Sequence, residues 1–149
     1  ALPVEVQALT IGTAAPNPRR VVNGVDGARV AMILAVLEKR ARLPLSQHDV
    51  YVSTVGGVRL VEPAADLAIA VAIAHSLKDR ALARGTAAIG ELTLSGEIRP
   101  VAQASQRRTE ATRLGYTTVV DAEQRTVAAA LRTMERHAAP APADPPPRF

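Results

Sequence analysis

The first apolar signal along the chain is an alternation, with Val4, Val6 and Ala8 interleaved with Glu5, Gln7 and Leu9. That period of two predicts a strand. A Gly-, Ala- and Pro-rich loop follows over residues 12–18, and residues 20–22 predict a returning second strand before Asn23-Gly24 breaks the chain. The period then changes. Val30, Ile33, Leu34, Leu37 and Ala41 recur at helical spacing, with Asp26 placed as N-cap and Lys39, Arg40 and Arg42 near the C-terminal end, where cations suit the helix dipole. Residues 50–55 predict a β-branched strand, Gly56-Gly57 interrupts it, and residues 58–61 resume. Pro63 opens a second helix whose span from Ala64 to Leu77 is apolar nearly all round, the pattern of a central, buried helix.

Residues 87–94 and 97–101 predict two strands joined by a Ser95-Gly96 turn. A polar third helix over 103–114 stops at Gly115, and residues 117–120 predict one more strand. Asp121 with Gln124 is a capping-box signature, and Val127, Ala130, Leu131 and Met134 line one face of a last helix. The remaining residues, 139–149, are mostly Pro and Ala and predict an unstructured tail after a single domain over 1–138. Helices and strands are mixed, with hairpins and no internal repeat. The class is α+β, or α/β with a mixed sheet.

Composition narrows this picture. The chain has 149 residues, 48% of them hydrophobic but only 2% aromatic, so the core must be aliphatic. There is no cysteine, hence no disulfide framework and no thiolate metal site. The lack of cysteine fits the cytoplasm; no apolar run reaches membrane-spanning length and no signal-peptide pattern opens the chain. A start at Ala1 rather than Met predicts a piece of a longer protein. Net charge is +4, and sixteen of the eighteen basic residues are arginine. Arginine grips phosphate in a two-pronged fork, so the excess fits polyanion binding, and it fits equally a genome rich in arginine codons.

Catalytic chemistry is hard to find. There is no phosphate loop and no Gly-x-Ser-x-Gly elbow. His48, His75 and His137 lack metal-ligand spacing, and His75 reads as a core or boundary residue of the central helix. The two lysines, Lys39 and Lys78, both end helices as solvated charges, so neither is placed as the desolvated base of a Ser-Lys pair.

Several ordered motifs then carry a resemblance. The runs Val4-Glu5-Val6-Gln7-Ala8-Leu9, Pro18-Arg19-Arg20 and Arg29-Val30-Ala31-Met32 resemble the C-terminal domain of the RadA (Sms) family of DNA repair proteins. Val55-Gly56-Gly57-Val58, Ala65-Asp66-Leu67-Ala68 and Gly90-Glu91-Leu92 extend the match, and Leu94-Ser95-Gly96-Glu97-Ile98-Arg99-Pro100-Val101 is its most specific stretch. That domain is similar in turn to the proteolytic domain of Lon protease, which implies a ribosomal-protein domain 2-like fold. In Lon the nucleophile sits in Pro-Ser-Ala-Gly, where this chain has Pro63-Ala64-Ala65-Asp66. Lon's lysine follows a Pro-Ile-Gly-Gly-Leu stretch, where Pro100-Val101-Ala102-Gln103-Ala104 leads here to Ser105. The resemblance therefore implies a non-proteolytic domain with Ala64 and Ser105 at the degenerate dyad positions, and an active Lon-type peptidase becomes the remote alternative.

The same resemblance implies a longer protein with an N-terminal zinc segment and a RecA-like ATPase, both absent from this chain, using ATP, magnesium and zinc. It implies a hexameric helicase of the DnaB type that acts on single-stranded or branched DNA in recombination and branch migration, with a RecA-type recombinase as a possible partner. This domain is expected to contribute hexamer assembly and sequence-independent DNA contact, or assembly alone. The candidates for phosphate contact are Arg19, Arg20, Arg29, Arg59, Arg99, Arg107 and Arg108. Each reads alternatively as a solvated surface residue or a structural ion pair; Arg99 with Glu97 is one such pair, and Arg113 with Glu110 at i,i+3 is another. Asp66, in the first turn of the central helix, suits the dipole better than any catalytic role. The scarcity of aromatics argues against base stacking.

Overall fold

A computed structural model of the chain describes residues 4–82, 85–137 and 139–140. The opening alternation becomes β1 (Val6–Gly12), whose even-numbered residues up to Thr10 turn inward. The chain continues through β2 (Arg20–Asn23), α1 (Gly27–Arg40), β3 (His48–Thr54), α2 (Asp66–Leu77) and β4 (Arg80–Ala81). It ends with β5 (Thr86–Ala88), β6 (Glu91–Leu92), β7 (Ile98–Arg99), α3 (Ala104–Arg113), β8 (Thr118–Val120), α4 (Val127–His137) and β9 (Ala139–Pro140). The fold is mixed α and β around a mixed sheet, as the patterning requires.

The second strand is where local reading and topology part. β2 does not return against β1. The sheet order is β1-β3-β2, with β1 antiparallel and β2 parallel to β3. A parallel neighbour needs a crossover, and α1 supplies it between β2 and β3. Residues 58–61 form no strand. Gly56 and Gly57 both adopt positive φ, and only a single bridge, Val25 to Leu60, follows them. The stretch 87–94 splits into β5 and β6 because the Gly90 N–H donates to the Ala64 carbonyl (2.9 Å) and its carbonyl accepts from Leu67 N–H (3.0 Å). The short pairing of β9 with β4 has no sequence signal; residues 141–149 of the anticipated tail lie outside the described residues.

Capping follows the sequence closely. The Asp26 carboxylate accepts from Ala28 N–H at the start of α1, and Asp121 and Gln124 close a reciprocal capping box on a 3-10 turn ahead of α4. The apolar core is aliphatic apart from Met134, with no Phe, Tyr or Trp side chain among the buried described residues. α2 lies at its centre, with Leu67, Ala70 and Ile73 fully buried, and packs on Val30, Ile33, Leu34 and Leu37 of α1 and on Val127, Ala130, Leu131 and Met134 of α4. Among the described residues no helix is long and apolar enough to cross a membrane.

Candidate nucleic-acid interface

The most buried charge sits at the head of the central helix. Asp66, the first residue of α2, is 1% exposed. A carboxylate at that depth needs partners. Arg29, one turn into α1, provides them: its Nε donates to Asp66 Oδ1 at 2.6 Å and its Nη2 donates to Oδ2. Leu92 N–H, on β6, donates to Oδ2 at 3.0 Å. Glu91 lies 3.8 Å from the same guanidinium. The Asp66 hydrogen bond raises the Arg29 pKa above its ordinary value. Asp66 thus ties α1, α2 and β6 together, and Arg29 is held in a buried fork rather than presented to solvent.

Three other candidate arginines are also engaged internally. Arg107 on α3 pairs with Glu62 (3.3 Å). Arg108 grips Asp121 through Nε (3.0 Å) and Nη2 (2.8 Å) and reaches Glu123 at 3.4 Å. Arg20 donates to the carbonyls of Leu45 (3.0 Å) and His48, fastening the start of β2 to the turn before β3. The pair of Arg113 with Glu110 forms as the i,i+3 spacing predicts, and Arg113 holds the Glu110 carboxyl below the usual carboxylate range.

Arg19, Arg59 and Arg99 differ. All three are exposed, as Arg20 is, but their side chains make neither a hydrogen bond nor an ion pair among the described residues. Arg19 uses only its backbone N–H, on Asp49 Oδ1 (2.7 Å). Arg99 does not pair with Glu97; it stands opposite Glu91 in the β6–β7 ladder. Five of the seven candidates fall at two places. Arg59 adjoins Leu60, which bridges to Val25 one turn before Arg29; Arg29 reaches Glu91, and Glu91 faces Arg99. Arg19 and Arg20 lie at the opposite end of the seven-residue β3, roughly 20 Å away at strand rise.

The two positions that the Lon resemblance assigns to a degenerate dyad lie in different settings. Ala64 is half-buried and lines a hollow of about 930 Å³. Ser105 is exposed on α3. Both lysines are exposed, and Lys78, at the far end of α2, is paired with Glu135. No phosphate loop is present, and no group of three or more His, Cys, Asp or Glu gathers among the described residues.

His75 is the one buried imidazole in α2. Its Nδ1 donates to the Val71 carbonyl at 3.0 Å, and Nε2 is buried without a partner among the described residues. Burial pushes its pKa down from 6.5; the Val71 bond opposes this, Lys78 and Arg80 push further down, and Glu135 pushes up. The folded state therefore refuses a proton that the unfolded chain accepts. Stability is complete above the unfolded value of 6.5 and is lost as pH falls below it towards the lower folded value. The slope cannot exceed one proton, about 1.4 kcal/mol per pH unit. Melting from about pH 8 to about pH 5.5 should show a declining Tm in the wild type and a shallower decline in His75→Leu; parallel declines would place the titration elsewhere.

A family model described as subunit ChlI of Mg-chelatase matches residues 29–125. The DNA repair protein RadA of Mycolicibacterium smegmatis is 53% identical over 116 residues, covering 78% of this chain and 25% of its own length. The protein of the same name from Mycobacterium tuberculosis (strain ATCC 25618 / H37Rv) is 50% identical over 113 residues, 76% of this chain and 24% of its own. That of Streptococcus pyogenes serotype M1 is 50% identical over 115 residues, 77% and 25% respectively. The chain spans about a quarter of the length of the curated relatives it matches.

Proposed function

This chain belongs to the family described as subunit ChlI of Mg-chelatase, and from that footing we propose that it is the non-proteolytic, Lon-like domain of a RadA-type DNA repair protein, serving hexamer assembly and sequence-independent DNA contact. The observation that carries the reading is the identity of about half over three quarters of the chain to proteins named DNA repair protein RadA. Alanine at position 64 and a neutral hydroxyl at 105 support the absence of peptidase chemistry, since neither an activated nucleophile nor an amine base is supplied. ATP hydrolysis, helicase activity, zinc binding and any recombinase contact belong to the longer protein.

The DNA contact rests on Arg19, Arg59 and Arg99, whose guanidinium groups are exposed and free of carboxylates among the described residues. Arg20 and Arg29 flank them and shape their surroundings. Contacts of this kind meet phosphate and carry no base preference. Three neutralised phosphates give a log K against log salt slope of roughly −2 on single strands. Fluorescence anisotropy of labelled single-stranded and branched DNA across a salt series tests this. A slope near that value supports the contact, and binding absent at low salt sinks it.

The engagement of Arg20, Arg29, Arg107 and Arg108 within the fold favours a second reading, an assembly platform without DNA contact. Sedimentation showing self-association, beside flat anisotropy, would select it.

A further inference from the structure

We propose that the hollow between β1 and β5 is a docking groove for an extended apolar peptide segment of another protein, one that carries a basic residue to meet Glu5. The inference stands on geometry separate from the arginines, so it survives or falls independently of the DNA reading.

The hollow, about 930 Å³, is lined by Ala65, Ala68 and Ala72, by Gln103 just ahead of α3 and by Gln106 on α3. Its volume matches that of ligand clefts. A second hollow of about 710 Å³ continues along β1, and Glu5, Val6, Ala72 and Leu82 line both. The alanine lining leaves depth for large apolar side chains from outside.

Two strand edges open onto it. Among the described residues β1 is an edge strand. The bonds from Val55 N–H to the Glu5 carbonyl and from Thr13 N–H to the Gln47 carbonyl place the odd-numbered residues of β1 in its hydrogen-bonded pairs with β3. The N–H and C=O groups of Val6 and Ala8 then point away from the sheet. Thr10 N–H, next in that row, is capped by Ser76 Oγ at 2.9 Å, so the edge is closed at one end and open at the other. Among the described residues β5 pairs with β8 alone; Gly85 and Ile89 carry bonds towards β8, which leaves the backbone groups of Thr86 and Ala88 facing outward. Exposed edges are ordinarily blunted by lysine, proline or a bulge. Neither Val6–Leu9 nor Thr86–Ala88 carries one of those residues. Main-chain pairing along such an edge gives affinity, and alternate side chains give selectivity.

The charge at the mouth chooses the partner. Glu62 and Glu110 rest on Arg107 and Arg113, while Glu5 is exposed and has no ion pair among the described residues. Arg107, on the same lining, offsets Glu62, so Glu5 is the lining carboxylate left to attract a lysine or arginine on a peptide.

The test uses the whole chain and a pool of fluorescein-labelled N-acetyl hexapeptides, each with one fixed lysine and the other positions drawn from Ala, Val, Leu, Thr and Phe. Retained peptides should bind saturably. On binding they should slow amide exchange at Val6, Ala8, Thr86 and Ala88. N-methylation of alternate peptide bonds should weaken binding at least tenfold, and changing the fixed lysine to glutamate should weaken it several-fold. Glu5→Lys, an exposed change, should reverse that charge preference, and single-stranded DNA should not displace the peptide. A pool with no retained member, unchanged exchange at those four amides, or indifference to N-methylation would overturn the proposal. So would a self-associated species that occupies the same edges.

Discussion

Asp66→Ala should destabilise the fold by about 3–5 kcal/mol, the cost of breaking a buried ion pair from one side. The loss has two parts. Arg29, three-quarters buried at its side chain, keeps its charge without a counter-ion, and Leu92 N–H loses its acceptor inside the core. For a domain of this size the melting temperature should fall by on the order of 10 °C or more. The pairing also makes a sharper expectation. Removing both charges with apolar residues of similar shape, Arg29→Met with Asp66→Leu, should recover much of the loss, because the desolvation cost disappears with the pair. Thermal melts of the two single variants and the double variant check this. If Asp66 only complemented the helix dipole, its loss would cost about 0.3–1 kcal/mol and Arg29→Met would change nothing.

Gly24→Ala should be about as damaging, at roughly 3–5 kcal/mol, for a different reason. Gly24 has φ +81, where an L side chain is strained. A Cβ there would stand 2.6 Å from the Val58 carbonyl oxygen and closer still to Thr54 Oγ1. Those two atoms are hydrogen-bonded to each other, so neither yields easily. Gly56 separates the two contributions. Its φ is +78, yet a Cβ would meet nothing within 4 Å. Gly56→Ala should therefore cost only the backbone strain, about 1–2 kcal/mol. Equal losses at the two positions would mean that the close approach at Gly24 carries no energy. Under the proposed DNA contact the site would matter for function as well, because the Gly24 carbonyl accepts from Leu60 N–H at 2.7 Å and holds the segment that carries Arg59.

What the sequence made legible follows one physical rule. Features set by neighbours in the chain were readable, and features set by distant partners were not. The helical faces of α1, α2 and α4, the Asp26 cap, the Asp121–Gln124 box and the Glu110–Arg113 pair all depend on residues within a turn or two. The parallel placement of β2 depends on where the crossover helix delivers the chain, which no local pattern encodes. The Asp66–Arg29 and Glu62–Arg107 pairs join residues 37 and 45 positions apart. One signal for the first was present. An aspartate at the head of a helix that is apolar nearly all round cannot be buried alone, and an arginine off the apolar stripe of α1 was its natural partner. Charge counting treated the arginines as equivalent, whereas packing divides them into those that hold the fold and those left exposed.

That division is tested most directly by titrating labelled single-stranded DNA with two triple variants across a salt series, after melts establish that both are folded. Arg19, Arg59 and Arg99 changed together to alanine should abolish most of the salt-dependent affinity and flatten the slope towards zero. Arg107, Arg108 and Arg113 changed together should leave affinity and slope close to wild type while lowering the melting temperature modestly. The reverse pattern, with DNA affinity lost only in the second variant, would contradict the assignment of the exposed, unpaired arginines as the DNA-contacting surface.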